Sequence, residues 1–152
     1  MSVIARLEQQ VLDPQRELGE LLAQARGDGA VVSFVGIARP ESSAGGSVDE
    51  LLLEHHPVLT LKSLEAIAVE AAERFEVTRV RVVHRCGRVA AGEPIVFAGA
   101  ASKHRRAAFE AADYLMDRLK TEAVFWKRES GAAGSAWIEP TEADYADRDR
   151  WG

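Results

Sequence analysis

Three stretches of the chain carry side chains suited to holding or attacking anionic groups. The first is Ser102-Lys103-His104-Arg105-Arg106, ahead of a run in which Ala108, Ala111, Ala112, Leu115 and Leu119 recur at helical spacing. A helix start leaves backbone N–H groups unpaired and carries about half a positive charge. Three added cations in that turn oppose the dipole, at about 0.3–1 kcal/mol each when exposed. The arrangement makes sense if a phosphate or similar anion binds among them. The plainer alternative points these side chains to water or pairs them with Glu110.

The second stretch holds Lys120 and Lys127. The chain uses fifteen arginines against four lysines, and Lys103, Lys120 and Lys127 fall close together. Arginine keeps its proton at any useful pH, whereas a partly buried lysine can shift its pKa and act as a base or nucleophile. Lys120 is expected near a helix C-terminus and Lys127 on the strand that follows. There Phe125 and Lys127 share one face, and Trp126 and Arg128 the other. The two lysines can therefore converge, although a lysine laying its stem on the core is the plainer reading of either one. Arg39 is third, placed where an apolar strand releases into a Gly/Ser-rich loop, a common setting for ligand contact and also for simple solvation.

Other reactive side chains read as structural. Cys86 is a small apolar strand residue. His55 and His56 point to opposite faces of a strand, and His84 with Cys86 supplies only two of the ligands a zinc site needs. No GxGxxG or GxxxxGK[ST] loop occurs. Neither a metal nor a cofactor is expected.

Elements to position these residues follow from pattern. Val3 to Leu12 reads as an edge strand, and Asp13-Pro14 opens a helix closed by Gly27. Gly29 to Ala38 reads as a buried strand, and 39–47 (RPESSAGGS) as a flexible loop. Val48 to His55 is a strand, and His56-Pro57 begins a helix to about Phe75. Thr78 to Cys86 and Ile95 to Ala101 are strands around the turn Ala91-Gly92-Glu93. Ser102 is expected to cap a helix from Lys103 to about Thr121. Val124 to Glu129 and Ser135 to Glu139 pair as a hairpin, and the tail, about 141–152, adds a helical turn. Strands arriving in pairs between helices indicate α+β with a mainly antiparallel sheet.

One domain over residues 1–152 fits the length of 152 residues, with 47% hydrophobic and 28% charged residues. The net charge is −5, yet from Lys103 to Arg128 seven Lys or Arg face four Asp or Glu. A globally acidic chain is a poor coat for nucleic acid, and a small basic excess suits a compact anion. The single cysteine, with no apolar run long enough to span a bilayer and no signal-peptide layout, leads to the expectation of a complete cytoplasmic chain with no membrane partner.

The segments GAVVSFVGIAR (29–39), LEHHP (53–57), VVHRCGRVAAGEPIVF (82–97), SKHRRAAFEAADYLMDRLK (102–120) and FWKRE (125–129) together resemble the molybdopterin synthase large-subunit family. The resemblance implies an α/β-hammerhead type fold and a homodimer carrying a small ubiquitin-like subunit at each end, as a heterotetramer. It further implies a sulfurtransferase activity in molybdenum cofactor biosynthesis. Sulfur from the small subunit's C-terminal Gly-Gly thiocarboxylate passes to cyclic pyranopterin monophosphate, forming the molybdopterin dithiolene. By position Lys120 and Lys127 resemble the catalytic lysines. Arg39, His104 and Arg105 resemble the phosphate and pterin contacts, with Ile37, Ala38, Arg128 and Glu129 lining the same pocket. A non-catalytic phosphate-binding paralogue is the alternative, but it would lack a lysine or the His-Arg pair. Departures are Val124 in place of a common proline, Ile37 where many members are basic, and Pro140-Thr141 where a basic residue reaches across the dimer. Arg148 or Arg150 is the candidate substitute there. The combined expectation is one pocket that gathers cations from the Arg39 loop edge, the Arg105 helix entrance and the Lys127 strand.

Overall fold

A strand apolar on both faces fixes the architecture around itself. Val80 and Val82 on one face of 79–85, and Val83 on the other, are almost fully buried, so helices must cover both sides. The computed structural model describes residues 2–42, 45–132 and 134–152, so Ser43 and Ala44 of the expected loop lie outside the described residues. The elements are β1 (Ser2–Glu8), α1 (Pro14–Gln24), β2 (Ala30–Ile37), β3 (Glu50–His55), α2 (Leu59–Arg74), β4 (Arg79–Arg85), β5 (Gly87–Ala90), β6 (Pro94–Ser102), α3 (Arg105–Glu122), β7 (Phe125–Gly131), β8 (Gly134–Ile138) and α4 (Glu142–Asp149). They build an α+β fold of two four-stranded sheets, in the orders β1-β4-β6-β2 and β5-β3-β7-β8.

Among the described residues only β1 and β4 pair in parallel; the other strand pairs are antiparallel. In the first sheet, Val80, Val82, Ala98 and Ala100 meet Leu64, Ile67, Ala71, Ala111 and Leu115 of α2 and α3. On its reverse, Val83 and Phe97 meet Leu21 of α1. Small alanines on α3 let that helix lie close to the sheet, so its two ends stand at fixed positions. In the second sheet Leu51, Leu53 and Val89 form a smaller core with Phe125 and Ile138 packed on it.

Several expectations change. Gly29 to Ala38 is not buried throughout: β2 pairs only with β6 among the described residues, and Phe34 and Ile37 are exposed. Small and β-branched residues suit an edge as well as a centre, so composition does not separate the two. Strand β5 was not expected; Gly87 at φ +84° turns the chain out of β4 into the second sheet. Ser102 does not cap α3, since it is still buried in β6 and its hydroxyl donates to the His104 carbonyl. His104 holds the N-cap position with no side-chain capping hydrogen bond. Helix α1 starts as read, with Asp13 accepting from the Arg16 N–H, but ends at Gln24, before Gly27. The closing hairpin and the helical tail occur as expected, the latter with a Thr141–Asp144 capping box.

A network of charged side chains is buried against α1. Arg81, 3% exposed, donates through Nε to Glu17 Oε1 at 2.9 Å and also pairs with Glu20. Arg6 donates to both Glu17 oxygens at 3.0 and 2.9 Å. Burial raises the Glu17 carboxyl pKa, but the Arg6 and Arg81 guanidinium groups outweigh it and hold the group below its ordinary value. Removing the carboxylate leaves the buried Arg81 guanidinium with Glu20 as its remaining partner, so Glu17→Ala is expected to lose about 3 kcal/mol in urea unfolding. Because the folded pKa is depressed, the stabilisation is present above the ordinary carboxylate range and disappears as pH falls through the folded value. The urea midpoint of Glu17→Gln should therefore fall less steeply below pH 5 than that of the unsubstituted chain.

Candidate active site

Helix α3 delivers Lys120 to its last turn, where a cation complements the helix dipole. One short connection later, β7 turns Phe125, Lys127 and Glu129 inward, opposite Leu53 and Leu51 of β3. The end of β2 brings Ile37, Ala38 and Arg39 to the same place. Together they line a cavity of about 360 Å³, completed by Glu139 to Thr141, Asp144 and Tyr145. The convergence expected for the two lysines is thus present, and Ile37, Ala38, Arg39 and Glu129 join them.

Lys127 is the most perturbed of these groups. Burial pushes its ammonium down to about 8, and the Lys120 charge pushes the same way, while Asp144 opposes both. A lysine so placed exchanges its proton near neutral pH, which suits acid–base work or pairing with an incoming anion. The lining is not uniformly basic, because Glu41, Glu129, Glu139 and Asp144 face the same space.

Beneath Phe125 lies a group the sequence reading left as structural. The His84 ring stacks on Phe125 with centroids 4.3 Å apart, and its Nδ1 donates to the Arg85 carbonyl at 2.7 Å. Burial holds its pKa down to about 3; the carbonyl bond opposes this, and the charges of Lys127 and Lys120 add to it. His84 is therefore neutral, and it lies behind Phe125, near enough for both lysine charges to act on it. Asp144 and Tyr145 were also missed. Their segment is remote in sequence, and only the fold-back of α4 onto α3 brings them to the cavity.

The other expected anion contacts lie elsewhere. Gly29, Lys103, His104, Arg105 and Arg106 line a second cavity of about 390 Å³ at the N-terminus of α3. A side chain at Gly29 would strike the Lys103 carbonyl, its Cβ coming within 2.2 Å of that oxygen. Arg105 and Lys120 are fifteen residues apart on one continuous helix, which at 1.5 Å per residue is roughly 22 Å. A single protomer thus does not gather all the cations in one pocket, and that expectation is corrected by the length of α3.

Arg128 is corrected too. It alternates with Lys127 onto the outward face of β7, where its guanidinium lies 5.4 Å from the Trp137 ring centre. Of the candidate substitutes near Pro140-Thr141, Arg150 is tied to Asp113 and Asp117 of α3 at 3.2 and 2.7 Å. Arg148 pairs with Asp149 at 2.9 Å.

The model of a family described as MoaE protein matches residues 7–122. A protein of Pseudomonas aeruginosa named molybdopterin synthase catalytic subunit is 48% identical over 146 residues, covering 96% of this chain and 97% of the relative. The solved structure of a molybdopterin biosynthesis MoaE protein from Burkholderia ambifaria MC40-6 matches with a TM-score of 0.82 at 38% identity, covering 100% of this chain and 99% of that one. A protein–protein complex of subunits 1 and 2 of molybdopterin-converting factor from Helicobacter pylori 26695 shares the fold, with a TM-score of 0.68 at 22% identity and coverage of 93% and 90%.

The electrostatics of the first cavity make a direct expectation. In lysines dimethylated with carbon-13, the Lys127 resonance should titrate near 8. Replacing Lys120 by Met should move that midpoint upward, since it removes the nearest like charge. A midpoint in the ordinary lysine range in the unsubstituted chain would contradict the burial assigned to Lys127.

Proposed function

The chain belongs to the MoaE protein family, and from that membership we propose that it is the catalytic subunit of a molybdopterin synthase. It receives sulfur from the C-terminal Gly-Gly thiocarboxylate of a small ubiquitin-like subunit and transfers it to cyclic pyranopterin monophosphate. The observation that carries this reading is the half-buried Lys127 beside Lys120, with Arg39 lining the same cavity. A thiocarboxylate is anionic, and a desolvated ammonium is its natural partner. As sulfur leaves the acyl carbon for the pterin, a water oxygen must take its place, so protons must be supplied and removed nearby. Lys120 and Lys127 are assigned those transfers and the stabilisation of the developing oxyanion. The sulfur arrives on the partner, so buried Cys86 has no part in the chemistry.

The phosphate is assigned to His104 and Arg105, and this requires a second copy of the chain. Both cavities border β2: Gly29 precedes it and Ile37 ends it. Its outer edge is free of strand partners among the described residues, carries no charged residue, and exposes Phe34 and Ile37. Antiparallel apposition of two β2 edges about a twofold axis sets the start of one strand beside the end of the other. One copy's His104 and Arg105 then approach the other copy's Lys120 and Lys127. The working unit in this reading is a homodimer with a small subunit at each end. No described helix is long and apolar enough to cross a membrane, and the chemistry is assigned to the cytoplasm, where a lone thiol stays reduced.

Two substitutions test the assignment with thiocarboxylated small subunit and cyclic pterin supplied. Lys120→Ala should lower dithiolene formation by about 10²–10⁴-fold while leaving the fold and small-subunit binding intact. Product formation at the unsubstituted rate would reject the catalytic role. Arg105→Ala should chiefly raise the KM for the phosphorylated pterin, and an unchanged KM would remove it from phosphate binding.

A further inference from the structure

The joint between α3 and β7 decides how Lys120 stands relative to Lys127, and only Ala123 and Val124 lie between the two elements. Ala123 and Phe125, on either side of Val124, both line the reaction cavity, and Val124 itself does not. The ladder of β7 with β3 begins at the pair Phe125 and His55. The peptide groups of Val124 fall outside it and need other partners. Two hydroxyls of α2 supply them. Thr60 Oγ1 donates to the Val124 carbonyl at 2.6 Å, and Ser63 Oγ accepts from the Val124 N–H at 3.1 Å. The partners are 64 and 61 residues apart in sequence, and no described residue of α2 lines either cavity.

We infer that Thr60 and Ser63 are positioning residues for the lysine pair: by holding both peptide groups of Val124, they set the placement of Lys120 and Lys127 across the α3–β7 joint. The surroundings fix the direction of each proton. The His56 N–H donates to Thr60 Oγ1 at 2.8 Å, which leaves the Thr60 proton for the Val124 carbonyl. The Ser63 hydroxyl donates to the Thr60 carbonyl at 2.7 Å, which leaves a lone pair for the Val124 N–H. A helical serine bonded only to its own preceding turn is ordinary; the bond across to Val124 is what distinguishes this one. His56 also closes the first turn of α2, its Nδ1 accepting from the Val58 and Leu59 N–H groups at 3.1 and 3.0 Å. Thr60 is fully buried, and Leu64 and Ile67 further along α2 are buried in the main core, so the two hydroxyls tie the joint to the core. A buried polar network with its partners in place holds one arrangement. The inference rests on the function proposed above for its kinetic consequence, since misaligned lysines cost turnover more than substrate affinity. Its geometric consequence is read without turnover.

Thr60→Val keeps the side-chain shape and removes the hydroxyl, Thr60→Ser keeps the hydroxyl, and Ser63→Ala removes the acceptor for the Val124 N–H. Each full-length chain is assayed with thiocarboxylated small subunit and cyclic pterin, and its Lys127 titration is followed after carbon-13 dimethylation. Thr60→Val and Ser63→Ala should each lower kcat by about tenfold or more and leave the KM for the pterin within about twofold. Both should move the Lys127 midpoint upward from about 8, because a loosened joint lets Lys127 gain water and draw away from Lys120. Thr60→Ser should restore both readings. Val124→Pro has no N–H to offer, and Ala123, at φ −68° and ψ 135°, already has the backbone favoured ahead of proline. In that background Ser63→Ala should change neither reading further. A lowered melting temperature with kcat and the Lys127 midpoint unchanged would show a purely structural role and overturn the inference. Losses in Thr60→Ser equal to those in Thr60→Val would overturn it as well. If Thr60→Val does not fold, Ser63→Ala, at a half-buried position, decides the matter alone. Failure of the unsubstituted chain to form dithiolene would reject the proposed function, and the Lys127 midpoints would still decide whether the hydroxyls place the lysines.

Discussion

Two ammonium groups turned into one cavity repel each other, and burial of one makes its charge costlier still. Lys127 carries both burdens: it is largely desolvated and lies close enough to Lys120 to feel its charge. The surroundings offer only partial relief, since Asp144 supports the charged form and the neutral His84 does not. Such a site is at its most comfortable when an anion arrives or when the lysine gives up its proton. Those are the two events that sulfur transfer from a thiocarboxylate demands, which makes this electrostatic tension the centre of the proposed mechanism.

The fold turns that local tension into a positional problem and supplies the parts to solve it. Helix α3 is a rod of eighteen residues with Arg105 at one end and Lys120 near the other. Alanine-rich packing against β6 leaves it no freedom to bend the ends together. Strand β2 runs alongside at comparable length and touches both cavities. An uncharged strand edge beside two half-sites is a natural seam, because pairing it satisfies backbone groups and brings complementary ends together. The ion network of Arg6, Glu17 and Arg81 anchors β1 and β4 to α1 on the opposite side of the sheet. It contributes stability there without entering the chemistry.

Much of this was legible in the residues. The lysine pair stood out because the chain otherwise relies on arginine, and the alternation Phe125, Lys127 against Trp126, Arg128 assigned their faces correctly. That same alternation already placed Arg128 on the other face of the strand from Lys127, and it does not line the lysine cavity. The separation of Arg105 from Lys120 was likewise implicit in fifteen residues of helical spacing. Other features could not be read locally. Whether β2 is central or at an edge depends on which strands find it in space, and β5 exists because Gly87 adopts a positive φ that glycine merely permits. Asp144 and Tyr145 reach the cavity through the docking of α4 on α3, a tertiary event with no signature in their own segment. The burial that distinguishes His84 likewise comes from β7 closing over β4.

The central claim is that one functional site is divided between two copies of the chain, and mixing two inactive variants tests it most directly. Lys120→Ala and Arg105→Ala chains, each too impaired for turnover at limiting pterin, are unfolded together in equal amounts, refolded and assayed. In a twofold dimer a mixed pair carries one doubly damaged site and one intact site. With random pairing, activity should therefore return to about a quarter of that of the unsubstituted protein. Activity no greater than the sum of the two variants assayed separately, with mixed dimers demonstrably formed, would show that each site draws both groups from a single chain and would contradict the account.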